Sequence, residues 1–153
     1  MFRDEVFMQK ALLEACKAQA SDDVPVGAVV VKDQRVIARA CNQVELLRDP
    51  TAHAEMLAVT EAVSLLGSKW LKDCTLYVTI EPCSMCAGAL VLSRISRVVY
   101  GAADPKTGAG GSVLNILHHA KLNHRIKVTG GILESECASL LQDFFKKKRA
   151  ARN

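Results

Sequence analysis

A chain of 153 residues and 16.6 kDa fits one domain, and 50% hydrophobic residues with 24% charged, 9 glycines and 4 prolines exclude a disordered or collagen-like polymer. A domain of this size buries roughly 70% of its unfolded surface, so a metal site would serve chemistry rather than folding. The net charge of +4 is local: five of the 20 Lys and Arg (Lys146, Lys147, Lys148, Arg149, Arg152) lie in the last eight residues, leaving a body of 15 bases against 16 acids. That excludes a uniformly basic surface and suits a localised anionic partner, although a solvated helix end explains the tail equally well.

Val6, Met8, Leu12, Leu13, Ala15 and Cys16 recur at helical spacing and predict a helix over 2–20, ended by Ser21-Asp22-Asp23. The β-branched run 26–31, the polar turn Lys32-Asp33-Gln34 and the alternating segment 35–41 predict a hairpin. After a loop through Asp49-Pro50, Thr51 is an N-cap candidate for a helix over 51–66, with Gly67 as its stop. A strand over 74–80 leads through Pro82 to a helix over 83–93 that is apolar nearly all round, which predicts full burial. A strand over 97–100, the glycine-rich segment 104–112, a short helix over 113–119, a strand over 126–129 and a final helix over 134–149 complete the chain. Strands alternating with helices after the hairpin predict a mixed sheet of about five strands covered on both faces.

No run of 18 apolar residues and no basic-then-hydrophobic leader can be read, so a cytoplasmic protein with no membrane partner is expected. In that compartment cysteines are thiols or metal ligands. Cys16, Cys41, Cys74 and Cys137 sit among apolar neighbours and read as small core residues.

Cys83 and Cys86 differ. His53-Ala54-Glu55 and Pro82-Cys83-Ser84-Met85-Cys86 each open a predicted helix after a strand or loop, so both helix starts can meet at one sheet edge. Helix N-termini favour negative charge and lower thiol pKa values, which suits thiolate ligands. One imidazole and two thiolates are one ligand short of a closed structural zinc site and leave a position for water, whose pKa zinc brings to around 7. Glu55, two positions from His53, points elsewhere on a helix and is free to carry protons. His118, His119 and His124 have no spacing that couples them to Cys83. The combination is the zinc-deaminase pattern H-x-E with P-C-x-x-C.

The segments Pro50-Thr51-Ala52-His53-Ala54-Glu55, Glu81 through Ala89 and Asp104-Pro105-Lys106-Thr107-Gly108-Ala109-Gly110 resemble the bacterial tRNA-specific adenosine deaminases, from the first helix to Phe144-Phe145. The resemblance implies an α/β, cytidine-deaminase-like three-layer α/β/α fold with a central mixed five-stranded sheet, in one zinc-dependent domain over 1–153. It implies a homodimer and hydrolytic conversion of the wobble adenosine of a tRNA anticodon, that of an arginine tRNA, to inosine. It makes His53, Cys83 and Cys86 ligands of one zinc ion per chain and Glu55 the catalytic proton shuttle. Asn42 would contact the target nucleoside, Val26 and Ala54 would help line the base pocket, and Asp104 would meet the RNA near the target ribose. Without the resemblance Asn42 reads as a strand-end turn residue and Asp104 as a loop solvator. Lys106, Phe145, Lys146, Lys147, Lys148 and Arg149 are candidate RNA contacts, because aromatics beside cations stack bases and bind phosphates. Two rivals share these motifs: a deaminase of a free base or nucleoside such as guanine or cytosine, and a noncatalytic RNA-binding zinc module. Glu55 argues against the second.

Overall fold

A computed structural model describes residues 2–152. Helix α1, Phe2–Lys17, buries Met8, Ala11 and Ala15 at helical spacing. A 3-10 turn, Ala18–Ser21, ends it at Asp22, whose φ of 56° is left-handed. Strands β1, Gly27–Lys32, and β2, Arg35–Cys41, form the hairpin, followed by a short helix α2, Val44–Leu47. Then come α3, Ala54–Leu66, strand β3, Cys74–Ile80, helix α4, Ser84–Leu92, and strand β4, Arg97–Ala102. Strand β5, Lys127–Thr129, and helix α5, Glu134–Arg152, close the chain.

The five strands lie in the order β2-β1-β3-β4-β5. β1 is antiparallel to both β2 and β3, while β3, β4 and β5 run parallel, so the sheet is mixed as expected. Strand alternation sends Ala28, Val30, Leu76, Val78 and Val98 to the face covered by α3 and α4. Val29, Val31, Tyr77 and Val99 go to the other, with Phe7, Met8 and Ala11 of α1 and Cys137 of α5. This is the three-layer α/β/α fold of the cytidine deaminases. At Gly27 a Cβ would collide with the Ala11 carbonyl oxygen, so only glycine lets α1 lie this close to the hairpin. Among the described residues no helix is long and apolar enough to cross a membrane.

Four expectations are corrected. Residues 113–119 form turns rather than a helix: the N–H groups of Val113 and Leu114 go to the Gly108 carbonyl and that of Ile116 to Ala109, so the segment folds back on the glycine-rich loop. The N-cap of α3 is His53, not Thr51, whose N–H and hydroxyl are held by the Asp49 carboxylate in a local turn. Helix α4 is buried on one face only, through Cys86, Ala87, Leu90 and Val91, and Leu92 is 79% exposed. Cys16 is exposed, because α1 turns the Met8–Ala11–Ala15 stripe inward and Cys16 lies off it.

Candidate active site

Two helix starts meet at the C-terminal ends of β3 and β4, the end of an open sheet where α/β folds place ligands. His53 caps α3 and Cys83 caps α4, both with extended backbone, and their carbonyls accept the first helical bonds from Leu57 and Ala87. Cys86 follows in the first turn of α4. The antiparallel hairpin brings Val26 and Asn42 to the same end, joined by the Asn42 N–H to the Val26 carbonyl at 3.1 Å.

The Nδ1 of His53 lies 3.7 Å from Cys83 Sγ and 3.5 Å from Cys86 Sγ. One donor atom from each residue lies within 4.8 Å of the others, a cluster able to hold a metal ion. Hydrogen bonding from Cys86 and then from His53 brings the Cys83 thiol down to about 4. The same bond to Cys83, together with burial, pushes Cys86 up, and Cys83 also holds His53 above its ordinary value. Glu55 is 3% exposed, and burial pushes its carboxyl up to about 7.

Above this cluster opens a cleft of about 660 Å³. Val26, Asn42, His53, Glu55, Cys83, Asp104, Lys106 and Phe145 all line it, so most of the sequence-predicted residues converge. Cys86, the third member of the cluster, is fully buried and does not line the cleft. Ala54, expected in the pocket lining, does not line the cleft: it has no exposed surface and reaches the site only through its backbone N–H, which donates to Asn42 Oδ1 at 2.9 Å. Lys146, Lys147, Lys148 and Arg149 do not line the cleft. Lys148 instead pairs with Asp22, with its Nζ over the Phe144 ring. His118 and His124 donate ring N–H groups to the carbonyls of Ile126 and Ile95, away from the cluster.

Sequence reasoning missed Asp23 and Glu81. Asp23 is buried at the cleft, where its carboxylate accepts the N–H groups of Val24 and Glu45 and anchors α2. Glu81 is 1% exposed, and its carboxylate takes every hydrogen bond it accepts from the glycine-rich segment. The signal that could have found it is an acid at a strand end directly before Pro-Cys.

The sequence profile of the MafB19-like deaminases matches residues 2–149. The tRNA-specific adenosine deaminase of Bacillus subtilis (strain 168) is 49% identical, over 99% of this chain and 97% of its own. A solved structure from studies of A-to-I editing by tRNA:A34 deaminases at the wobble position of transfer RNA superposes with a TM-score of 0.85. It is 47% identical and covers 88% of this chain and 98% of its own. A guanine deaminase from Nitrosomonas europaea shares the fold at a TM-score of 0.78 and 28% identity, over 92% of this chain and 83% of its own. Identity of 49% to the Bacillus subtilis enzyme over nearly the full length of both chains makes this chain a member of the tRNA-specific adenosine deaminase family.

Proposed function

We propose that residues 1–153 form one deaminase domain that hydrolyses the wobble adenosine of a tRNA anticodon to inosine, with zinc held by His53, Cys83 and Cys86 and protons carried by Glu55. The observation that carries this reading is a buried carboxyl and a His-Cys-Cys cluster facing one cleft that a basic, aromatic-bearing loop and helix border.

The donor set fits zinc. Tetrahedral bonds of about 2.1 Å to nitrogen and about 2.3 Å to sulfur separate the two donors by about 3.6 Å, against the 3.5 and 3.7 Å found. When bound, zinc supplies a Lewis acid that makes water nucleophilic near neutral pH. In the net reaction water adds at C6 of an extruded adenine and the exocyclic amine leaves as ammonia. Glu55 delivers a proton to ring nitrogen N1 and then to the departing amine. With its Oδ1 engaged by Ala54, Asn42 has its NH₂ left to donate to the nucleoside. Val26 packs against the base, and Ala54 acts by orienting Asn42. Asp104, Lys106 and Phe145 meet the flanking nucleotides, and Lys146, Lys147, Lys148 and Arg149 the phosphates beyond.

The protein works in the cytoplasm on the anticodon stem-loop of an arginine tRNA, as a homodimer. An isologous contact through the open face of α4, where Met85 and Ala89 are half-buried and Leu92 is exposed, would cover what one domain leaves bare. Sedimentation at micromolar concentration should give the dimer mass, and a monomer would overturn that part.

The deciding experiment offers an arginine-tRNA anticodon stem-loop beside free adenosine, cytidine and guanine, and measures ammonia and inosine. Release from the stem-loop alone is expected. Release from free adenosine, cytidine or guanine would assign a deaminase of free bases or nucleosides, and binding of RNA without release a noncatalytic module.

A further inference from the structure

The segment 104–112 contributes Asp104, Pro105, Lys106 and Thr107 to the lining of the cleft and runs beside the cluster, where Gly108 pairs with Cys83. Its glycines give it no stiffness of its own. Asp104 organises the near end, its Oδ1 accepting the Lys106 and Thr107 N–H groups and its Oδ2 the Thr107 hydroxyl. None of those bonds ties the segment to the sheet.

Glu81 supplies the tie. Its Oε1 accepts the Asp104 N–H at 3.0 Å and the Ser112 hydroxyl at 2.5 Å. Its Oε2 accepts the N–H groups of Gly110 at 2.9 Å and Ser112 at 3.1 Å. One carboxylate thus holds both ends of the segment. The Glu81 N–H donates to the Ala102 carbonyl, extending the β3–β4 pairing, and the Ala109 N–H donates to Pro82, so the segment docks on the strand end that carries Cys83. Gly108 stands opposite Cys83, where a Cβ would collide with the Glu81 carboxyl carbon. The loop and the metal-ligand helix therefore share one strut.

We propose that Glu81 is a positioning residue, whose carboxylate fixes the distance between the metal cluster and Asp104 and Lys106 so that the nucleotides flanking the target base are held in register with it. This rests on the tRNA deaminase reading above. A carboxylate is suited to the task because it only accepts, whereas glutamine would turn an NH₂ toward backbone N–H donors. Loosening the segment weakens the grip on RNA and leaves the chemical groups His53, Cys83, Cys86 and Glu55 in place.

The test compares wild type, Glu81→Gln and Ser112→Ala on the anticodon stem-loop, with metal content, amide exchange and steady-state kinetics. Ser112 is exposed, so its variant folds even if the buried one does not. Both variants should keep one metal per chain and exchange the Gly110 and Ser112 amides faster. KM should rise about tenfold for Glu81→Gln and about threefold for Ser112→Ala, with kcat within about threefold of wild type. Unchanged exchange and KM in Ser112→Ala, or a fall in kcat at constant KM, would overturn the proposal. A wild type that leaves the stem-loop unreacted would overturn the functional reading instead, and amide exchange would still decide whether Glu81 is the clamp.

Discussion

Glu55 occupies the first turn of α3, two positions after the His53 cap, and lines the same cleft as His53 and Cys83. It is buried, which pushes the carboxyl up, and it stands outside the His53–Cys83–Cys86 donor cluster; on the proposed reading it moves protons and does not hold the metal. Glu55→Ala should therefore keep about one metal ion per chain, by elemental analysis, and lose a factor of about 10² to 10⁴ in turnover of the stem-loop. Loss of metal together with activity would make Glu55 a ligand or a support. The cluster was legible in the sequence because its members fall in two short segments, each at a helix start. Glu81 was not, because the donors it serves come 23 to 31 residues later and meet it only after β4 has paired with β3.

At the scale of elements, α1 is held to the sheet by a bond no local pattern reveals. Asp4 is 8% exposed and accepts both guanidinium nitrogens of Arg97, at 2.9 and 2.8 Å, and the Tyr77 hydroxyl at 2.8 Å. Arg97 also donates to Thr129, so one acid links α1 to β3, β4 and β5 across a separation of 93 residues. The Arg97 guanidinium holds the Asp4 carboxyl below its ordinary value. A depressed carboxylate stabilises the fold fully above its unfolded pKa of about 4, and that contribution fades as pH falls through the folded value. Asp4→Asn should cost about 2 kcal/mol at pH 7, with the difference from wild type shrinking below about pH 4. Urea denaturation at the two pH values checks it, and a constant difference would show that the charge is immaterial. The regular elements were readable for the opposite reason: the β-branched run in 26–31, the alternation in 35–41 and the helical spacing in 2–17 are local. The predicted helix over 113–119 failed because its apolar residues serve a different surface, with Leu117 buried while Val113 and Leu114 stay exposed.

For the whole molecule, charge and shape converge at the far end of α5. Phe144 is buried and stands edge-on to Phe145, which is 44% exposed and lines the cleft, so the helix carries its basic end past the opening. Lys146, Lys147 and Arg149 are exposed, whereas Lys148 is drawn back to Asp22 and the Phe144 ring. The sequence presented these cations as one block, and the fold divides them into three turned to solvent and one already paired. If the three meet phosphates, replacing Lys146, Lys147 and Arg149 by glutamine should lower the log–log salt slope of RNA binding by about 0.7 for each phosphate no longer neutralised, about 2 in all. Lys148→Gln should change the slope by less, because its charge is already answered within the chain. KM should rise with little change in kcat in the triple variant, the pattern of weakened uniform binding, since none of the three lines the cleft. Titrations of a labelled stem-loop across a salt series measure the slopes. Equal slopes for wild type and the triple variant would return these cations to a solvated helix end and leave Lys106 and Phe145, which line the cleft, as the residues that hold the RNA.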